Sequence, residues 1–161
     1  MGAGAGSYFA AVPASPLLTA ARLHVAETLA ALDEQLAALD AAQAGETKSS
    51  AGDKFETSRE MMQQERNRLE AQRAIAAEQR LQLQLAERAP SGKTVGLGTT
   101  VTLADGARYL VAAAVGKLRL PDGTAAYAIS RESPLAQALW GRGEGDAGEF
   151  RGRRLVITEL T

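Results

Sequence analysis

The sequence has no cysteine, one histidine, one tryptophan and few aromatics, with Phe, Trp and Tyr making up 4% of 161 residues. The missing cysteine excludes disulfides, Cys-ligated zinc and thiol catalysis, and it fits a reducing compartment. With no Cys nucleophile and so short a chain, a thiolase-type condensing enzyme is excluded as well. The single histidine, His24, has no second His or Cys to work with, so it reads as a plain structural residue beside a helical seam. Net charge is only −1, so no bulk electrostatic argument favours nucleic acid or membrane. No run is long and apolar enough to span a bilayer. The start lacks a basic n-region, and the hydroxyl residue that myristoylation wants falls one place late. These absences describe a soluble, cytoplasmic chain of one or two small domains that is not a self-contained enzyme.

What is present divides the chain. Residues 1–14 are rich in Gly and Ala and read as a disordered tail. Ser15 is placed to cap a helix, with Pro16 at its first position. From there to about Ala44, Val25, Leu29, Leu32, Leu36 and Leu39 alternate spacings of four and three, which makes a coiled-coil seam. Gly45 is the expected C-cap. A second helix is expected from about Lys54 to Ala89, where Met62, Leu69, Ala76 and Leu83 repeat every seven residues with Ile75 in support. Its other faces carry Glu56/Arg59, Glu65/Arg68, Arg66/Glu70 and Glu70/Arg73 at helical spacing, pairs that keep a long exposed helix soluble. Each helix has one apolar seam, so residues 15–89 should form an antiparallel two-helix finger with its tip at 45–58.

Residues 90–93, Pro-Ser-Gly-Lys, read as a linker. From 94 to 161 the apolar residues fall in short runs, separated by Asp105-Gly106 and Pro121-Asp122-Gly123, both strong turn signals. Ser133-Pro134 opens a short helix through Trp140, with Leu135 and Leu139 facing a core. Gly141 to Gly148 is a Gly-rich loop, and the chain closes on a strand centred on Leu155, Val156 and Ile157. The fold class is α+β: a helical hairpin followed by a small, mainly antiparallel β domain with one short helix. Gly92-Lys93-Thr94 lacks the preceding glycine and strand of a phosphate-binding loop.

The tip holds the chemistry worth weighing. Asp53 and Glu56 are three apart, which on a helix puts both on one face and close enough to share a divalent ion. The same spacing is a capping box, with Asp53 as N-cap and Glu56 at N3. The two readings are compatible. Two carboxylates hold Mg²⁺ weakly, so phosphate, water or a partner must complete its shell.

The stretch Ile129-Ser130-Arg131-Glu132-Ser133-Pro134-Leu135-Ala136-Gln137-Ala138-Leu139-Trp140-Gly141-Arg142-Gly143-Glu144-Gly145-Asp146 resembles the carboxy-terminal signature of bacterial Gre transcription elongation factors. That signature is, in outline, Ile-Ser, two residues, Ser-Pro, a short helix with Ala-Leu, then Gly-Lys and Gly-Asp. The resemblance covers residues 16–161 and implies an FKBP-like C-terminal domain behind a coiled-coil finger. It implies that the globular part docks on RNA polymerase, with Ser133, Pro134 and Trp140 in the docking neighbourhood. It also implies that the finger enters the polymerase's secondary channel and that Asp53 and Glu56 help hold a Mg²⁺ shared with the active site. The polymerase then cleaves its own backtracked transcript at the nascent RNA 3′ end. Gly52, Asp53 and Glu56 fall on the family tip's Gly, Asp and Glu. Lys54, Thr57, Ser58, Arg59 and Glu60 depart from it.

The basic residues Arg59, Arg66 and Arg73 are candidates to lie along RNA, or they are ion-pair partners of neighbouring acidic residues. Two other functions stay open: a channel-binding regulator that does not stimulate cleavage, motivated by the altered tip, and a coiled-coil dimerisation or scaffold element, motivated by the seam. The finger reading expects a monomer. A dimer in sedimentation equilibrium would favour the scaffold, and a monomer would count heavily against it.

Overall fold

The computed structural model describes residues 15–46 and 53–161. The tail 1–14 and the centre of the tip, 47–52, lie outside the described residues. Two long helices come first, α1 (Pro16–Glu46) and α2 (Asp53–Arg88). Ser15 starts α1 as its spacing predicts: its hydroxyl accepts from Leu18 N at 3.1 Å, and its carbonyl accepts from Thr19 N at 3.0 Å. The same hydroxyl lies 3.3 Å from Thr100 Oγ1, so the cap also touches the β region. α1 does not stop before Gly45 but continues to Glu46. The preceding Ala41-Ala42-Gln43-Ala44 run consists of strong helix formers, and one glycine costs only about 1 kcal/mol within a helix.

The helices pack along the predicted seam. Val25, Leu29 and Leu32 of α1 and Leu69, Ala76 and Leu83 of α2 are buried, while Leu36, Leu39 and Met62 are half-buried. Ile75 departs from expectation and is 61% exposed. The neighbouring Ala76 takes the seam position, and its small side chain leaves room for Leu29 and Leu32 opposite. Ion pairs fix the antiparallel register. Arg73 Nε meets Asp33 Oδ1 at 2.5 Å, Arg66 pairs with Asp40, and Arg22 Nη1 meets Glu87 Oε1 at 2.7 Å. Asp33 and Asp40 are seven apart on one helix, and Arg66 and Arg73 are seven apart on the other, so both pairs satisfy a single alignment. The predicted Glu65/Arg68 and Arg66/Glu70 contacts form at 2.6 and 3.7 Å. Arg73 turns to α1 rather than to Glu70.

Six strands and one helix follow: β1 (Thr100–Leu103), β2 (Arg108–Ala112), β3 (Gly116–Arg119), β4 (Ala125–Ser130), α3 (Pro134–Leu139), β5 (Ala147–Phe150) and β6 (Arg153–Leu160). They form one sheet in the order β3-β4-β2-β1-β6-β5. Every neighbouring pair is antiparallel except β2 and β4, which run parallel. The chain leaves β2, runs back along the edge in β3, and returns as β4 between the two. Both Asp-Gly signals turn the chain in the same way. Gly106 N donates to Leu103 O at 2.9 Å while Leu103 N donates to Ala107 O at 2.9 Å. Gly123 N and Leu120 N repeat the pattern with Leu120 O and Thr124 O, at 2.9 and 3.0 Å. This is a type I turn closed by a left-handed residue, and Gly106 and Gly123 take it at φ 87° and 84°.

The strand period of two sorts the sheet into two faces. Leu110, Ala112, Leu118, Ala126 and Ala128 pack with Leu17, Leu18, Ala21, Leu83 and Ala86 of the helices. Val101, Leu103, Val111 and Ile157 face the other way, under Ala136 and Leu139 of α3 and beside Val95. The core therefore runs across residues 90–93, and the roots of the finger form one wall of the β region's interior. Two glycines permit the closest approaches. A Cβ at Gly98 would stand 2.5 Å from the Ala86 carbonyl of α2, and one at Gly148 would stand 2.5 Å from the Ala138 carbonyl of α3. Gln79 Nε2 adds a bond to Ala114 O at 2.9 Å. From Gln79 to Asp53, α2 extends about 40 Å.

A shared core predicts shared melting. Leu110→Ala, at a fully buried position, should cost about 2–5 kcal/mol. It should lower the midpoints of the far-UV helical signal and of Trp140 fluorescence together. Midpoints that separate would mean that the finger root and the sheet unfold independently.

Candidate functional site

Among the described residues, the far end of the finger is formed by the ends of α1 and α2. Asp53 is the first residue of α2. Its side chain and residues 47–52 lie outside the described residues, and so do the capping-box and metal-pair readings of Asp53. Glu56 stands exposed in the first turn of α2. Helical spacing sets positions 53, 56 and 60 along one stripe, with Arg59 beside it. A carboxylate in the first turn is favoured by the partial positive charge of the helix N-terminus. On the neighbouring face Lys54, Thr57, Ser58 and Met61 line a shallow cleft, and Met61 is 66% exposed. Among the described residues, no three Asp, Glu or His side chains converge as a metal cage. Mg²⁺ demands six oxygens.

The three candidate arginines separate. Arg59 is exposed near the tip. Arg66 and Arg73 are held against α1 by Asp40 and Asp33, and Arg66 Nη2 also reaches Gln43 Oε1 at 3.4 Å. Both lie along the finger's flank as register-setting partners. His24 is exposed.

The docking candidates occupy the two ends of α3. Ser133 is its N-cap, with the hydroxyl accepting from Ala136 N at 3.2 Å, and Pro134 is the first helical residue. Trp140 is the C-cap, 40% exposed, with the Arg131 guanidinium 5.9 Å from its ring centroid. The Gly-rich loop that follows is closed by its own bonds. Gly143 N donates to Asp146 Oδ2 at 2.7 Å, Gly141 N to Val95 O at 2.9 Å, and Val95 N to Arg142 O at 2.8 Å. The stretch that carries the Gre resemblance thus caps α3, closes the loop and seats both against β5 and β6.

Two features were not read from the sequence. One is the cross-hairpin pairing of Asp33 and Asp40 with Arg66 and Arg73, which the matching seven-residue intervals could have revealed. The other is a pair of tyrosines, Tyr109 and Tyr127, stacked at 5.8 Å between ring centroids with planes 26° apart. No local spacing foretells it, because it depends on the parallel pairing of β2 and β4.

No protein-family profile matches the chain, and no curated protein matches it. Among solved structures, one match is described as the structure of the transcription factor Gfh1. It is 24% identical, covers 86% of this chain and 93% of that one, and has a TM-score of 0.34. A likeness that loose carries nothing about activity. No helix among the described residues is long and apolar enough to cross a membrane.

The Asp33–Arg73 contact makes a pH prediction. The hydrogen bond from Arg73 holds the Asp33 carboxyl below its ordinary 3.8 against an opposing desolvation, with the charges of Arg73 and Arg80 adding to the lowering. A carboxyl depressed in the folded state stabilises the fold above its unfolded pKa, and that contribution is lost as pH falls through the folded value. The Asp33 carboxyl carbon, followed by NMR, should titrate below 3.8 and move up in Arg73→Gln. A midpoint at or above the ordinary value would show that the pair does not form in solution.

Proposed function

We propose that this chain is a Gre-like transcription factor. Its finger enters the secondary channel of a bacterial RNA polymerase, and Asp53 and Glu56 are presented there to stimulate cleavage of backtracked transcripts. The observation that carries the proposal is the finger itself: a helical hairpin rooted in a sheet, with Asp53 opening the second helix at the far end and Glu56 one turn inside it. The signature from Ile129 to Asp146 supports it by resemblance. In this reading the chain is not an enzyme. Asp53 and Glu56 would help hold a Mg²⁺ within the polymerase's active site, and that ion would supply Lewis-acid activation of the scissile phosphate and of an attacking water. The chain's own contribution is to position oxygen ligands on a rigid rod. The β region, through the neighbourhood of Ser133, Pro134 and Trp140, docks on the outside of the polymerase.

A second reading is favoured by one specific observation: Arg59 and Glu60 stand where the family tip has Glu and Tyr. A guanidinium beside the carboxylates competes with a metal for them, and the protein would then occupy the channel without driving cleavage. A stalled, backtracked polymerase with Mg²⁺ separates the two. Cleavage by the wild type, reduced to the polymerase's own background by Asp53→Ala/Glu56→Ala with binding retained, is the expected result. No cleavage from either protein, with polymerase binding intact, would give the second reading. No polymerase binding would overturn both.

A further inference from the structure

The sheet face opposite the finger is only partly roofed. α3 covers Val101, Leu103, Val111 and Ile157, but toward β3 and β4 the same face is open. There Tyr127 is 41% exposed and stacks on the half-buried Tyr109. Register puts Tyr109 and Tyr127 side by side on parallel strands and Lys117 of β3 directly across from Tyr127. Arg119 lies two residues farther along β3, hence on the same face, paired with Ala125, whose methyl leaves the surface beside the ring low. Arg153 of β6 lies on the same face by strand alternation, two and four residues before the core-facing Leu155 and Ile157. Burial and the charge of Asp105 push the Tyr109 hydroxyl pKa up, and the charge of Arg153 works against them.

Lys117, Arg119 and Arg153 are exposed. None of the ion pairs among the described residues includes them. In a chain of net charge −1, whose finger arginines Arg66 and Arg73 are engaged by carboxylates, this concentration of unengaged cations around an exposed aromatic stack stands out. An aromatic face with cations at its margins is complementary to a base and its flanking phosphates.

We propose that this face binds an unpaired nucleic-acid strand, with a base stacking on Tyr127 and the backbone passing between Lys117 and Arg119 on one side and Arg153 on the other. Base–aromatic stacking tolerates any sequence, and cations that track a backbone give strong salt dependence. Tyr127 faces away from the finger roots, while Lys117 and Arg119, on the edge strand, also border a cleft with Thr19, Leu23, His24 and Glu27 of α1, and neither Asp53 nor Glu56 takes part. The platform therefore does not depend on the cleavage reading.

Fluorescence anisotropy of the full chain with labelled 12-mers of oligo-U and oligo-dT tests it. The expected result is binding of both strands, with Tyr127→Phe close to wild type and Tyr127→Ala weaker by about tenfold. Lys117→Gln/Arg119→Gln should flatten the slope of log affinity against log salt by about 1.4, the release expected for two single-strand phosphates at about 0.7 each. Asp53→Ala/Glu56→Ala should bind as wild type. No binding at about 100 µM protein in low salt, weaker than ordinary non-specific affinity, would overturn the proposal. So would affinity unchanged in Tyr127→Ala, or equal competition by a blunt duplex, whose bases are not free to stack. Should Tyr127→Ala fail to fold, the exposed Lys117/Arg119 variant decides alone, and an unchanged affinity and salt slope would overturn the proposal.

Discussion

Everything the finger can do depends on the burial of its roots against the sheet. A two-helix hairpin with one apolar seam does not hold a direction by itself, because exposed ion pairs set register but resist bending weakly. Here Leu17, Leu18 and Ala21 from one helix and Leu83 and Ala86 from the other close over Leu110, Ala112, Leu118, Ala126 and Ala128. Alanines on β2 and β4 let the helices come close, and Gly98 lets the sheet's first loop touch the end of α2. Neither part buries its apolar surface without the other. The distal half of the finger, held by the seam and by Asp33–Arg73 and Asp40–Arg66, inherits its direction from that base.

The Gre-like signature becomes physically intelligible in the same terms. Ser133 and Pro134 start α3, Leu139 fills the far core, and Gly148 lets Ala138 press onto β5. Asp146 accepts from Gly143 to close the loop. These residues are spaced as they are because the second face of the sheet must be roofed by a very short helix. A motif of this kind marks a fold more firmly than it marks a catalytic site. The chemistry proposed for this chain rests on the opposite end of the molecule, where the sequence departs most from the family tip.

Much of the architecture was legible because its signals are local. Seam periodicity placed both long helices, Ser-Pro placed the starts of α1 and α3, and Asp-Gly placed two turns. The misses share a cause. Gly45 looked like a stop, but the alanine-rich residues before it carry the helix on. Ile75 looked like support for the seam, but only its neighbour Ala76, read as seam itself, is buried. The parallel β2/β4 pair, the stacked tyrosines that it creates, and the core shared across residues 90–93 all depend on which strand lies beside which. No period within one element reports that. At the candidate site, Arg66 pairs with Asp40 of the other helix and with the neighbouring Glu70, and Arg73 pairs with Asp33 of the other helix rather than with a neighbouring Glu.

The central claim is that a rooted, rigid finger presents its end inside a polymerase. The most direct measurement places a photo-cross-linker at Thr57, an exposed position one turn into α2, and irradiates the protein with a stalled, backtracked bacterial RNA polymerase. The account predicts adducts with the polymerase walls lining the path to the active centre and with the 3′ end of the transcript. Adducts confined to the polymerase exterior, or none at all while the β region remains bound, would contradict it.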